Sequence, residues 1–123
     1  MLFRSRGIIG PMRLSGYRFG RLEVDGIPHH EDLWICGERI GRWWRREGHL
    51  VHPEDLAEIL DLSPEVVIIG TGFSGMLRVS KEAEDLLSSR GIELRVLRTK
   101  DAVELYNELA PKKQVAALLH LTC

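Results

Sequence analysis

Cysteine is scarce in this chain: Cys36 and Cys123 are the two present, far apart and in no spaced motif. That argues against a disulfide framework and makes a reducing, cytoplasmic compartment the expectation. Long apolar runs are missing as well. None approaches the roughly 18 residues that a spanning helix needs, so insertion into a membrane by a helix is not expected. An excess of one charge is also absent, with 17 Lys and Arg against 18 Asp and Glu and a formal net charge of -1. No global field would recruit nucleic acid or anionic lipid, and nucleic acid is not expected as a partner. Internal repeats, linkers and low-complexity tracts are lacking too.

What is present is an ordinary globular composition. The 123 residues are 44% hydrophobic and 28% charged, which fits one domain with a genuine core. Arginine supplies 13 of the 17 positive charges, which reads as coding bias before recognition, although Arg suits carboxylates and phosphates better than Lys. The first 22 residues carry five arginines and no acid. Residues 1–14 are therefore read as a basic, frayed tail rather than an organelle-targeting segment, and residues 15–123 as the domain.

The first half of the domain reads as β. Residues 17–24 alternate around Phe19, Leu22 and Val24 before the turn dipeptide Asp25-Gly26. Leu33–Cys36 is a short apolar strand closed by Gly37. Residues 39–46 follow as a strand containing Trp43 and Trp44. Adjacent strand residues face opposite ways, so one Trp should enter the core and the other should cover a second surface. Pro53, Glu54 and Asp55 suit the first turn of a short helix with Leu56, Ile59 and Leu60 on its apolar face. The second half alternates. Residues 66–69 form an apolar strand. Ser80 caps a helix with Ala83, Leu86 and Leu87 inward and Gly91 at its stop. Glu93–Leu97 is a strand, and Thr99 caps a helix with Ala102, Val103, Tyr106 and Leu109 inward. Residues 115–121 are apolar enough for a central strand buried on both faces.

The apolar strand runs into Gly70-x-Gly72-x-x-Gly75, the outline of a dinucleotide loop. Such a loop must rest the pyrophosphate on the N-terminus of a helix that begins inside the motif. Here Met76-Leu77-Arg78-Val79 separates Gly75 from the cap Ser80, so the helix starts too late. The ribose-binding acid should stand about 20 residues on, and Arg98 stands there instead. The glycines are read as positions of close packing and positive φ, and no cofactor is expected. Thr71 and Ser74 could still ligate a smaller anion. The candidate ligand-binding set is Gly70, Thr71, Gly72, Ser74, Gly75 and Arg98.

Other chemistry is incomplete. His49-x-x-His52, with His29 and His30 upstream, lacks the third and fourth ligands of a zinc site. His120 and Cys123 have opposite strand parity, and the terminal carboxylate would raise a thiol pKa, so Cys123 reads as a small buried hydrophobe. Arg42-Trp43-Trp44-Arg45-Arg46 mixes cations and aromatics, a pattern that suits a protein interface. Trp43, Trp44, Arg45 and Arg46 are the candidate protein-interaction residues; single-stranded nucleic acid is the weaker reading, and the plainest is one core Trp with arginines packed over the other.

These same residues carry a resemblance. Trp43-Trp44-Arg45-Arg46-Glu47-Gly48-His49, Glu54-Asp55-Leu56, Ile69-Gly70-Thr71-Gly72, Ser80-Lys81-Glu82-Ala83, Arg90-Gly91-Ile92-Glu93 and Ala117-Leu118-Leu119-His120-Leu121-Thr122-Cys123 resemble, in order, the Mth-domain family. This is a domain-of-unknown-function family of small archaeal and bacterial proteins. It is similar in domain to the mitochondrial NADH dehydrogenase alpha-subcomplex assembly factor 3 and to the adipogenesis-associated Mth-domain protein of animals. The resemblance covers about residues 15 to 123. It implies a three-layer α/β fold with a central mixed sheet and supplies no catalytic residues to carry over. Arg98 departs from the proline that the resemblance leads one to expect before Thr99, which would change the charge of any shared pocket there.

The expectation is thus a single three-layer α/β domain with a central mixed sheet, a β-rich N-terminal half and a β-α-β-α-β C-terminal half. Functionally it reads as a non-enzymatic protein-binding or assembly module with an unidentified protein partner. A homodimer is also possible in principle, because a β-rich half leaves edge strands to cover. The alternative is a small-molecule, anion or nucleotide-binding protein using the Gly70–Gly75 loop.

Overall fold

The computed structural model describes residues 10–123. Most of the expected basic tail therefore lies outside the described residues, while Met12 and Leu14 at its end are buried. Packing thus begins slightly before residue 15. β1 (Leu14–Arg18), β2 (Arg21–Val24) and β3 (Ile27–His29) form an antiparallel meander. The run expected over 17–24 is two strands rather than one. The chain turns at Phe19-Gly20, with Gly20 at φ 75°, a conformation that glycine adopts without steric cost. The second turn falls at Asp25-Gly26, where both residues have positive φ, as a two-residue hairpin loop requires.

β4 (Leu33–Cys36) and β5 (Arg39–Arg42) form a hairpin on one side of the main sheet. β6 (Leu50–Val51) precedes a single 3-10 turn, Pro53–Leu56, and the short helix α1 (Ala57–Leu60). Then come β7 (Val66–Gly70), β8 (Arg78–Val79), α2 (Lys81–Ser89), β9 (Glu93–Leu97), α3 (Thr99–Leu109) and β10 (Val115–Leu119). The main sheet has the order β5-β4-β10-β7-β9. β10 runs parallel to β7 and antiparallel to β4, and β7 runs parallel to β9, so the sheet is mixed and β10 is central.

Strand parity divides the core in two. Leu33, Ile35, Ile68, Ala117 and Leu119 face α3, through Ala102, Val103 and Tyr106, and the meander, through Leu14, Leu22 and Val24. Trp34, Val67, Ile69, Ala116 and Leu118 face α1 and α2, with Trp43, Val51, Ile59, Leu77 and Leu87. These layers on either side of the sheet bury β7 and β10 on both faces, as their unbroken apolar sequences require.

Three local expectations are corrected. The strand expected over 39–46 ends at Arg42. Beyond it Trp43 is pulled inward: its backbone N–H donates to Asp32 O and its indole N–H to Asp55 O at 3.0 Å. Thr99 is the first residue of α3 rather than its cap, and that cap position is held by Arg98. The Thr99 hydroxyl instead donates to His120 O at 2.6 Å and accepts from Gly72 N at 2.8 Å, because it is buried between two strand ends. Cys123 is exposed rather than buried, since β10 ends four residues before it. Ser80 does cap α2, its hydroxyl accepting from Ala83 N at 3.1 Å.

Candidate functional site

The carboxyl ends of β7 and β10 lie together, and the segment after β10 runs beneath the glycine loop. Phe73 N donates to Thr122 O, and Met76 N to Cys123 O. Gly72 is required by this crossing. Its φ is +106°, and a Cβ there would lie 2.5 Å from the Cys123 carbonyl carbon and 2.7 Å from Thr122 O. Gly70 is similarly pressed: a Cβ would meet Leu119 Cδ2 and Thr99 Oγ1 at 2.9 Å. Thr71, Gly72, Phe73, Met76 and Leu77 all donate their backbone N–H groups within the protein. The Thr71 hydroxyl donates to Leu97 O, and the Arg98 guanidinium donates to Phe73 O. Arg98 also packs over Gly75, which has φ +76°. Ser74 lies at the loop tip between them and is exposed. After the loop, β8 pairs with β6, which is why α2 begins only at Lys81.

A second cluster sits at the same end of β10, and sheet register creates it. Leu119 pairs with Leu33 across β10 and β4, so the next residue on one strand, His120, meets the preceding residue on the other, Asp32. His120 Nδ1 lies 2.7 Å from Asp32 Oδ2, and Leu121 N donates to Asp32 Oδ1 at 2.8 Å. The Trp43-to-Asp32 backbone bond turns the chain after β5 so that Arg45 enters from the other side. Its Nη2 is 2.9 Å from Asp32 Oδ2 and 3.3 Å from His120 Nδ1. Nε and Nη2 also donate to Gly48 O, and the guanidinium carbon lies 4.5 Å over the Trp43 ring.

Burial works to raise the Asp32 pKa, but hydrogen bonds from His120, the Leu121 N–H and Arg45 prevail and hold it below the ordinary carboxylate value. An ionised Asp32 fixes the tautomer, with the proton on His120 Nδ1 and Nε2 left over. Nε2 is buried and has no partner among the described residues, and the same is true of Arg45 Nη1. The His49 ring stands edge-on to His120, with centroids 5.5 Å apart.

The expected interaction cluster is therefore divided. Trp44 is 70% exposed while Trp43 is 4% exposed. The Arg45 side chain is 6% exposed, whereas Arg46 is on the surface with Glu54 and His52. His49 and His52 separate as well, one going to His120 and the other to Glu47 and Arg46. Among the described residues, no three His, Cys, Asp or Glu side chains come together as metal ligands. Sequence reasoning weighed His120 only with Cys123 and missed Asp32 altogether. The available signal was an acid opening one apolar strand and a histidine closing another.

An exposed apolar patch completes this end of the molecule. Phe19 at the β1–β2 turn and Phe73 in the glycine loop make an edge-to-face contact with centroids 6.0 Å apart. Both rings, and Met76 in the same loop, are more than half exposed.

This arrangement defines a small single-domain α/β protein with a mixed five-stranded sheet and its polar cluster at one end of the central strand. The chain belongs to the protein family of unknown function DUF498/DUF598, whose model matches residues 14–120. It is similar to a conserved hypothetical protein of Pyrococcus horikoshii, at 32% identity and a TM-score of 0.84, over 91% of this chain and all of that one. A Bartonella henselae protein described as an outer membrane protein is 27% identical, with a TM-score of 0.80 over 93% of this chain and 98% of that one. A Bordetella pertussis Mth938-like domain shares the fold at 20% identity and a TM-score of 0.67, over 98% of this chain and 92% of that one. Among the described residues of the present chain, no helix is long and apolar enough to cross a membrane.

Proposed function

We propose that this protein is a non-enzymatic protein-binding module of the assembly-factor kind, and that its contact surface centres on Phe19, Phe73 and Met76. The observation that carries this reading is the contact between two more than half exposed aromatic rings, with an exposed methionine in the same loop as one of them. Isolated exposed apolar residues are commonplace, whereas a joined patch of rings marks an interaction site. Trp44 and Arg46 are the exposed members of the originally expected surface, and Trp43 and Arg45 are internal supports. The Gly70–Gly75 loop has less support as a nucleotide or anion cradle, because five of the amides in and just beyond it already donate within the protein.

Affinity purification with mass spectrometry from the native host tests the reading, with Phe73→Glu and Phe19→Ser alongside wild type. A stoichiometric partner recovered with wild type and lost with both variants, at an unchanged melting temperature, is the expected result. Light scattering of the purified protein separates a second copy of this chain from a different partner. Undiminished recovery with both variants would refute the surface.

A further inference from the structure

Two polar side-chain atoms lie unpartnered in one small region, and a third group stands at its edge. Arg45 Nη1 and His120 Nε2 are both buried without a hydrogen bond among the described residues. They belong to side chains that are 6% and 7% exposed, and each is a single fork or ring width from the 3.3 Å contact between Nη2 and Nδ1. Leaving such groups unsatisfied is costly, so each calls for an explanation.

The rest of the cluster leaves no acceptor for them. Asp32 already takes His120, Leu121 and Arg45, and Gly48 O takes two bonds from Arg45. A guanidinium only donates, so Nη1 requires an acceptor. With its Nδ1 proton committed to Asp32, His120 offers at Nε2 a lone pair when neutral and a donor when protonated. Asp32 is already shared between Arg45 and His120. His49 covers His120 from an exposed loop whose neighbours Glu47 and Gly48 are also exposed. Its ring nitrogens are further polar groups at the edge of the cluster, on an exposed side chain.

We propose that Arg45, His120 and His49 form a binding site for a small oxyanion, a phosphate group or a carboxylate, which enters by displacing the His49 ring. The anion accepts from Arg45 Nη1, and from His120 Nε2 when that nitrogen carries a proton. Asp32 is a positioning residue that sets the His120 tautomer and ring plane. The charged and titratable groups facing His120 are Asp32, Arg45 and His49, with Tyr17 on the meander side, where its hydroxyl donates to Leu121 O. The site is separate from the Phe19–Phe73 patch and stands whether or not that patch binds a protein.

The test is a titration of the full chain, labelled with 15N-histidine, by inorganic phosphate and, separately, by sodium acetate. Sodium chloride at matched ionic strength is the control. Saturable movement of the His120 and His49 ring nitrogens is expected with at least one anion. Phosphate acting alone points to a phosphate group, and acetate acting equally well points to a carboxylate. His49→Ala lies on an exposed loop and should leave the fold intact, and losing one charge-assisted hydrogen bond should weaken binding about tenfold. His120→Gln removes the ring and its Nε2 and should weaken binding about tenfold, read from the His49 ring nitrogens. Ring shifts no larger than those with chloride, or binding unaffected by both variants, would overturn the site and leave an adventitious ion only.

Discussion

Replacing Asp32 by Asn is expected to destabilise the protein far more than a change of one oxygen to nitrogen suggests. The carboxylate accepts from His120 at 2.7 Å, from Leu121 N at 2.8 Å and from Arg45 at 2.9 Å. An amide oxygen at the Oδ2 position can keep the His120 and Arg45 bonds, but its NH2 then confronts the Leu121 N–H, a donor facing a donor. The Arg45 cation, 6% exposed, is left without its counter-charge. Removing one partner of a buried ion pair costs about 3–5 kcal/mol. The Asp32 side chain retains 18% exposure, and the solvent screening this implies places the expectation near the lower end, about 3 kcal/mol. For a chain of this size that is about 10 °C or more in Tm. The pH dependence has a definite sign. Asp32 is held below its ordinary pKa in the fold, so its stabilisation is complete above the unfolded value and disappears as pH falls through the folded one. The wild-type advantage over Asp32→Asn should therefore shrink below about pH 4. Thermal unfolding followed by circular dichroism from pH 7 to pH 3 measures both effects. A variant melting within about 2 °C of wild type at pH 7 would refute the reasoning.

The adjacent tryptophans should part company. Trp43→Ala should cost about 3–5 kcal/mol, whereas Trp44→Ala should change stability by no more than about 0.5 kcal/mol, and urea denaturation of the two variants measures the difference. Gly72→Ala should destabilise by about 3 kcal/mol or more, because strain at φ +106° adds to the collision with the Cys123 backbone; a melting temperature equal to wild type would contradict this. Under native conditions a thiol-disulfide reagent should label Cys123 promptly and Cys36 only after unfolding. Cys123 is exposed, while burial covers the Cys36 thiol and pushes its pKa up. Equal labelling rates would overturn that assignment.

Local chemistry made much of the fold legible. The apolar runs that become β7 and β10 could be satisfied only inside a sheet covered on both faces, and the Ser80 cap and Asp25-Gly26 turn are short-range signals that tertiary contacts did not override. The opposite fates of Trp43 and Trp44 also followed from their adjacency, although the strand invoked for them ends at Arg42. Legibility failed where a residue's partner lies far along the chain. Thr99 looks like a helix cap because Ser and Thr usually serve that role locally, and its actual partners, Gly72 and His120, are 27 and 21 residues away.

The candidate site divides along the same line. Sequence determined that the glycine loop had no helix at the right distance to hold a dinucleotide, because that is a matter of spacing. It offered Arg45 as a protein-interaction residue and set His120 aside. Only the tertiary structure decided that Asp32, 88 residues from His120, would orient it, since that contact depends on the antiparallel register of β4 against β10. The parallel pairing of β10 with β7 sends the last residues beneath the glycine loop, which turns Gly72 into a packing requirement and leaves the Phe73 ring outside against Phe19. A sequence pattern specifies which residues seek burial; which polar groups then meet is set by the pairing of strands distant in the chain.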